Sequence, residues 1–522
     1  MKLISEPSVP VKIQKMKQRV RWMHPSIKER GIDQTSMILD DGREESPDFS
    51  FMVIGDSGTK SDYGQHPQRQ VMEMLLSHND DCRFVLHTGD VVYLVGSREY
   101  YPANFIEPYR EFIVGGENPK SIAYDKMVFK LPIFPVLGNH DYYDVPLLYR
   151  LVTGSTLPLR RMLRYKDIEV GWHSSNQGDA YTKAFIDYLA GMSPTDLKRH
   201  LDEYYTAKTD TGRCLRYQPG NFTRLPNRYY TFRYGGIDFF ALDSNTFNTP
   251  APLPGNEAGD FFRRELLQRR QELEREKLLI LVECDKLNSG NTVEAERLAD
   301  LIAKVDQLNE VKIDIEKQLE PHTIADVDFE QLDWLRSRLI ESWHSSDVRG
   351  RVIFFHHPPY VTEATKWHQG QTLAVRHRLR SLFEQVAATL GKMTQGRPVV
   401  DVIFNGHAHC LEHLRTVDTG YADSYINYIV CGGSGRRPRR QRQEGTQLME
   451  TFNDAAGVST RKVADSLLYV GRSGHGSQRK KPYSCVRVDV KAGFPAKFVV
   501  TPLVTERIEG EWCDRSLEPF II

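Results

Sequence analysis

FSFMVIGD, residues 49–56, decides how this chain is read. A run of apolar residues, broken only by Ser50, closes on Gly55 and Asp56. A short continuous apolar run bounded by turn residues reads as a strand buried on both faces. The Gly-Asp that follows reads as a turn at the strand's end. Working outward, six more runs repeat the form: RFVLHTGD (83–90), IFPVLGNHD (133–141), IDFFALDS (237–244), RVIFFHHP (351–358), VVDVIFNGH (399–407) and YINYIVCGG (425–433). Helical patterns lie between them, for example over 68–76 and 329–342. VRVDV (486–490) and AKFVVTP (496–502), joined through Lys-Ala-Gly, read as a hairpin. Strands alternating with helices predict an α/β fold, and open α/β sheets gather their functional residues where strands end.

Composition bounds the class. The chain has 522 residues, 69 Lys+Arg and 69 Asp+Glu, so its formal net charge is zero, which argues against a bulk nucleic-acid or membrane-surface binder. Hydrophobic residues at 40% and aromatics at 10% suffice for a sizeable core. No stretch approaches the roughly 20 apolar residues of a membrane span, and the N-terminus has no apolar signal region. Seven scattered cysteines with no CxxC argue for a reducing compartment, and a cytoplasmic location is expected.

Three regions stand apart from the strand runs. Residues 1–48 show no clear periodicity, and the first 30 hold eight Lys/Arg against two Glu, which reads as a basic arm or tail. Residues 258–320 are rich in Glu, Lys, Arg, Leu and Gln. Leu266, Leu273, Ile280 and Leu287 repeat every seven residues. After Asn288-Ser289-Gly290-Asn291 a second series follows through Leu298, Leu301, Val305, Leu308, Ile315 and Leu319. Two heptad helices around an Asn/Gly turn predict an antiparallel, coiled-coil hairpin inserted into the 49–433 domain. It is read as packing on its own domain, with docking of a second copy or a protein partner, or a mobile lid, as the alternatives. The third region, within 434–522, begins with RRPRRQR (436–442), five Arg in seven positions, and repeats the character in GRSGHGSQRKK (471–481). These read as solvated loops, or as a field that attracts anionic substrates.

The chemistry lies in five short motifs at strand ends: Gly55-Asp56-Ser57-Gly58, Gly89-Asp90-Val91-Val92-Tyr93, Gly138-Asn139-His140-Asp141, His356-His357-Pro358 and Gly406-His407-Ala408-His409. Each alone is weak. Together they supply carboxylates, an amide, a phenol and imidazoles, hard-to-borderline ligands that suit Fe, Mn or Zn. Imidazoles at i and i+2 of an extended segment point to one side, so His407 and His409 can each reach one of two neighbouring metals about 3.5–4 Å apart. The preceding glycines allow a sharp turn at each strand end.

The order GDxG, GDxxY, GNHD, HxP, GHxH resembles that of purple acid phosphatase-like enzymes, within the calcineurin-like metallophosphoesterase superfamily. The resemblance covers roughly residues 50–250 and 328–433. It implies a four-layer α/β/β/α sandwich of two mixed sheets, which the 434–522 region would complete. It also implies two metal ions, Fe with Fe, Mn or Zn. Asp56, Tyr93 and His409 would hold the first, Asn139, His356 and His407 the second, and Asp90 would bridge them. His356, not His357, matches the family's HxP position. His140 would touch a phosphoryl oxygen or protonate the leaving group, and Asp141 would orient it or cap the turn. The family usually places another histidine some ten residues beyond the HxP ligand, which makes His368 a candidate, with Thr365 nearer that spacing. The implied activity is hydrolysis of a small phosphorylated substrate, most simply a phosphomonoester, by metal-activated hydroxide. A phosphodiesterase acting on nucleotides or lipids, and an interaction protein using the coiled-coil arm, are the alternatives. A Tyr93 phenolate on Fe(III) would make the protein coloured.

Overall fold

The computed structural model describes residues 5–59, 66–144, 174–287, 292–320, 325–454, 457–474, 479–508 and 511–522. The run that opened the reading is the strand Phe49–Ile54, with every residue buried. It lies in a mixed seven-stranded sheet, parallel to Cys82–His87, which in turn runs parallel to Ile133–Pro135. On its other side Tyr483–Lys491 and Lys497–Ile508 form the expected antiparallel hairpin. The second sheet has eleven strands. Its centre is the parallel set Ile237–Ala241, Gly350–Phe355, Val402–Asn405 and Asn427–Cys431.

Strand alternation explains the layers, because successive side chains point to opposite faces. Val352 and Phe354 enter one core cluster, whereas Ile353 and Phe355 enter another. The first cluster extends to the helix Pro67–Ser77 and fills the space between the sheets. There Phe51 packs edge-on against Phe239 and Phe404, with ring centroids 5.4 and 6.0 Å away. The second lies between the large sheet and the helices Phe329–His344 and Gly370–Leu390, which contribute Leu335, Leu339, Val375 and Phe383. The helix Pro67–Ser77 covers the outer face of the small sheet. The architecture is the four-layer α/β/β/α sandwich.

The N-terminal segment corrects one expectation. Instead of an arm, it forms the helix Val9–Arg19 and the strand Ile32–Leu39, which sits inside the large sheet between Tyr230–Tyr234 and Gly212–Tyr217. The helix buries Val9, Lys12, Met16 and Arg19, one face at helical spacing. Two of these four positions are cationic, so the apolar period was invisible. Lys12 is buried against Glu6 (2.6 Å) and the Asn245 carbonyl (3.2 Å), and Arg19 pairs with Asp179 (3.4 Å).

Helices Glu257–Cys284 and Thr292–Leu319 occupy the insertion, and the proposed turn Asn288–Asn291 lies outside the described residues. The pairs Arg297–Glu283, Lys304–Glu276 and Lys312–Glu274 ascend one helix while descending the other, so the two run antiparallel. Leu273, Ile280, Leu308 and Ile315 are buried in the seam between them.

Candidate metal centre

All five motifs arrive at the carboxyl ends of parallel strands, where the two sheets meet. The backbone there is unusual in a specific way. Asp56, Asp90 and His407 have φ of 53°, 54° and 66°, in the left-handed region that non-glycine residues avoid at a cost of about 1–3 kcal/mol each. The ligand residues themselves therefore share in the sharp turns: of the preceding glycines, Gly89 also turns, with φ of 100°, whereas Gly55, Gly138 and Gly406 do not adopt positive φ. Gly138 and Gly406 serve close approach instead: a Cβ at Gly138 would overlap the Asp90 carboxylate, and one at Gly406 would lie 2.6 Å from Asp56 Oδ2.

Each carboxylate is split between backbone and centre. Asp56 Oδ2 accepts from the His407 N–H (2.8 Å) and Asp90 Oδ1 from the His140 N–H (2.9 Å). The remaining oxygens converge. Tyr93 OH lies 2.9 Å from Asp56 Oδ1, 2.8 Å from Asp90 Oδ2 and 3.3 Å from His409 Nε2. Asp90 Oδ2 is also 3.4 Å from His356 Nε2, which is 2.9 Å from Asn139 Oδ1. One oxygen, Asp90 Oδ2, thus borders both predicted ligand sets. Asn139 donates its amide N–H to Tyr143 OH (2.9 Å), leaving Oδ1 for the centre.

These donors fit cations. Tyr93 has one proton for the two carboxylate oxygens it faces. His356 Nδ1 faces the Thr88 carbonyl (2.9 Å), which can only accept, so Nδ1 carries a proton. Its Nε2 then meets two oxygens, which a neutral ring cannot satisfy. The electrostatics agree: burial, with the Asp90 charge added, pushes the Asp56 carboxyl up to about 7. Burial opposes charge on His356, yet Asp90 overcomes it and raises His356 to about 9. Burial and then the neighbouring Lys366 and Arg439 keep His407 and His409 neutral, with lone pairs to offer. Donor atoms of Asp56, Asp90 and His356 lie within 4.8 Å of one another, as do those of His356, His357 and His407. His357 is otherwise engaged: Nδ1 bonds Ser244 Oγ (2.8 Å) and Nε2 bonds the Asn248 amide (3.2 Å).

The three residues given chemical roles meet different fates. His140 lies at the centre, its Nδ1 on the Leu94 carbonyl (2.6 Å), its Nε2 3.9 Å from Asp90 Oδ2 and its ring 4.3 Å from that of Tyr93. Asp141 does not orient it. Its carboxylate accepts from the Gly138 N–H (2.9 Å) and the Val91 N–H (3.2 Å), bracing the two turns that carry Asn139 and Asp90. Burial and the Asp90 charge push the Asp141 carboxyl up to about 8. His368 is exposed beside Trp367, with Arg442 and Glu444 as its charged neighbours. Lys366 takes the place expected of it: its fully buried ammonium lies 2.9 Å from His407 Nε2 and 2.7 Å from a Glu310 carboxylate oxygen.

Glu310 comes from the insertion and also pairs with Arg439 (2.8 Å). Among the described residues, the basic loops are therefore tied to the insertion through several of their cations. Asp306 pairs with Arg436, and Asp300 pairs with Arg472, Arg479 and Lys481. Lys366 and Glu310 carried no motif. The available signals were the spacing of Lys366, ten residues past His356, and the acids Asp306, Glu310 and Asp314 at every fourth residue, which share one helix face.

Comparison with known proteins follows the geometry. A family model described as calcineurin-like phosphoesterase matches residues 49–311. No match was found among curated proteins. Three solved structures are similar at low identity. GAP50, the anchor in the inner membrane complex of Plasmodium, is 11% identical, with 89% of this chain and 86% of that one covered and a TM-score of 0.36. The purple acid phosphatase PPD1 from yellow lupin (Lupinus luteus) seeds is 12% identical, with 92% and 54% covered and a TM-score of 0.36. This chain thus spans about half the length of the lupin protein. PhoD is 10% identical, with 92% and 70% covered and a TM-score of 0.38. The family match takes in Asp56, Asp90, Tyr93 and Asn139 together with nearly all of the insertion, about half of the whole sequence. On that match the chain belongs to the calcineurin-like phosphoesterase family and is a metal-dependent hydrolase of phosphate esters.

Proposed function

We propose that the chain is a dinuclear phosphomonoesterase of the purple acid phosphatase-like type. The observation that carries this reading is Asp90 Oδ2, which borders the Asp56–Tyr93–His409 set and the Asn139–His356–His407 set at once. Two metal ions held there, Fe with Fe, Mn or Zn, supply charge to neutralise phosphoryl oxygens and acidity to ionise water near neutral pH. The chain's own groups do the rest. Asp56 and Asp90, each tied by one oxygen to a backbone N–H, keep the other oxygen aimed inward. His140, held by the Leu94 carbonyl, turns Nε2 toward the centre, where it meets the departing oxygen. Asp141 acts through the backbone, keeping the Asp90 and Asn139 turns together.

Burial supports a small monoester over a diester, since Asp56, Asp90, Asn139, His407 and His409 are at most 5% exposed. Hydrolysis of p-nitrophenyl phosphate and bis(p-nitrophenyl) phosphate, with Fe, Mn and Zn supplied in turn, tests the reading. Metal-dependent monoester turnover that is lost in Asn139→Ala is the expected result. Preference for the diester would overturn the monoester assignment. Two irons without visible absorbance after oxidation would remove Tyr93 from the ligand set.

A protein contact at the hairpin has its own support. Leu278, Leu279, Leu281 and Val282, near the end of the first hairpin helix, are 41–73% exposed. We infer that a second copy of the chain or a protein partner covers them, and light scattering of the chain against a Leu279→Glu variant checks the first case. A reducing, cytoplasmic setting is supported by seven free cysteines, five of them buried. Among the described residues no helix is long and apolar enough to cross a membrane.

A further inference from the structure

The insertion is joined to the sandwich in an uneven way. Its apolar residues form a cluster of their own: Leu273, Ile280, Leu308 and Ile315, with the half-buried neighbours Leu266, Leu301 and Val305, all belong to the two hairpin helices. Its ties to the sandwich are polar. Asp314 accepts from the Gly370 and Gln371 N–H groups (2.8 and 2.9 Å), Asp306 and Asp300 pair with the basic loops, and Lys317 pairs with Glu6 (2.7 Å). A hairpin with its own apolar seam can leave its seat without exposing a core. What it exchanges is ion pairs, and other anions compete for those.

The tie nearest the centre is Glu310. Its carboxylate lies between the Lys366 ammonium and the Arg439 guanidinium, with Lys366 0% and Arg439 6% exposed. An ammonium and a guanidinium converging on two oxygens is how proteins hold phosphate as well as carboxylate. The location is as telling as the chemistry. Lys366 Nζ is 2.9 Å from His407 Nε2, the Arg439 N–H donates to the His409 carbonyl (2.9 Å), and the Arg436 guanidinium lies 4.8 Å from the centre of the Tyr93 ring. Three cations thus border the candidate centre, and carboxylates of one helix pair with all three, Asp306 with Arg436 and Glu310 with Arg439 and Lys366.

We propose that Lys366 and Arg439 form the anion subsite of this centre, occupied in the resting protein by Glu310. A phosphoester dianion takes the place of Glu310 there, so the inserted hairpin is an internal competitor that admits substrate when its carboxylate is displaced. The identity of the anion rests on the phosphoesterase reading, whereas the subsite does not.

The test uses inorganic phosphate and the full chain, as purified and after chelation of metals. In Glu310→Gln, which keeps the side chain's shape and removes its charge, phosphate measured by calorimetry should bind about tenfold more tightly, because the competent state no longer has to be won from the competitor. Adding Lys366→Met to that variant should cancel the gain. Unchanged or weaker binding in Glu310→Gln would overturn the proposal. Since that variant leaves two buried cations unpaired and could fail to fold, the wild-type chain supplies a second measurement. Saturating phosphate should speed amide hydrogen exchange over residues 300–314, and exchange that does not respond would equally overturn the proposal. Tighter phosphate binding with no ester turned over under any metal would sink the phosphatase reading and leave the subsite standing. Turnover with a silent Glu310→Gln would do the reverse.

Discussion

The two halves of the candidate centre are built alike and differ in how closely a cation approaches their ligand atoms. Both take their ligands from turns at the ends of parallel strands, and both border Asp90 Oδ2. The Asp56–Tyr93–His409 half gathers acceptors around a single phenolic proton, and burial with the neighbouring carboxylate pushes Asp56 up to about 7. Its nearest cations are Arg436, 4.8 Å from the centre of the Tyr93 ring, and Arg439, whose charge bears on His409. In the Asn139–His356–His407 half a cation is already present, because Lys366 and the Gln371 amide both point at His407 Nε2, 2.9 and 3.1 Å away. The difference teaches that similar ligand turns do not ensure similar sites. The first half is defined by its ligands, and the second also by a lysine that the inserted helix holds in place through Glu310.

That contrast can be broken most directly at the shared oxygen. Asp90→Asn removes the charge that both halves rely on. Metal analysis should show both ions lost and turnover should fall by roughly three orders of magnitude or more, about 4 kcal/mol of transition-state stabilisation. An active variant that retains two metals would show that the halves do not share Asp90. A smaller effect sharpens the contrast. Lys366→Met removes the cation directed at His407, and titration with Mn or Zn should show the weaker of two binding steps tightened by about tenfold, 1.4 kcal/mol, with the stronger step unmoved. Equal change in both steps would mean that Lys366 belongs to neither half in particular.

The smallest effect concerns the frame of the second half. Glu412 accepts from the Thr362 N–H (3.0 Å), its hydroxyl, and Ser466 Oγ (2.7 Å), and so anchors the loop that carries Lys366. Burial pushes Glu412 up to about 7 from an ordinary 4.5. A carboxyl raised on folding contributes stability that is complete below its unfolded pKa and is lost as pH rises through its folded one. Urea unfolding of the wild type should therefore weaken between about pH 4.5 and 7 relative to Glu412→Gln, whose profile should be flatter there, with metal content unchanged. Parallel profiles would show that folding does not raise the Glu412 carboxyl.

Much of the site was legible because its chemistry lies in contiguous turns. Asp56, Asp90, Tyr93, Asn139, His356, His407 and His409 each stand in a motif at a strand end, and the structure gathers all seven. The N-terminal strand was hidden because Lys12 and Arg19 occupy buried positions of the helix before it, each neutralised by an acid or a carbonyl from another segment. Lys366 was hidden because a lone lysine between Thr365 and Trp367 carries no pattern, and His368, two residues on, turns elsewhere. For the same reason Asp141, adjacent to His140 in sequence, braces the backbone turns instead of the imidazole.

By itself the sequence determined the central strands, the turns that bear the ligands and the heptad seam of the insertion. Each of these is a local regularity: apolar runs, Gly-Asp and Gly-His at their ends, a seven-residue period. Only the tertiary structure decided which oxygen of Asp90 borders both halves, that Lys366 rather than His368 reaches His407, and that the acidic face of the insertion meets the basic loops. Those outcomes depend on charges distant in sequence being brought within about 3 Å and out of water, where the partner each one finds sets its role.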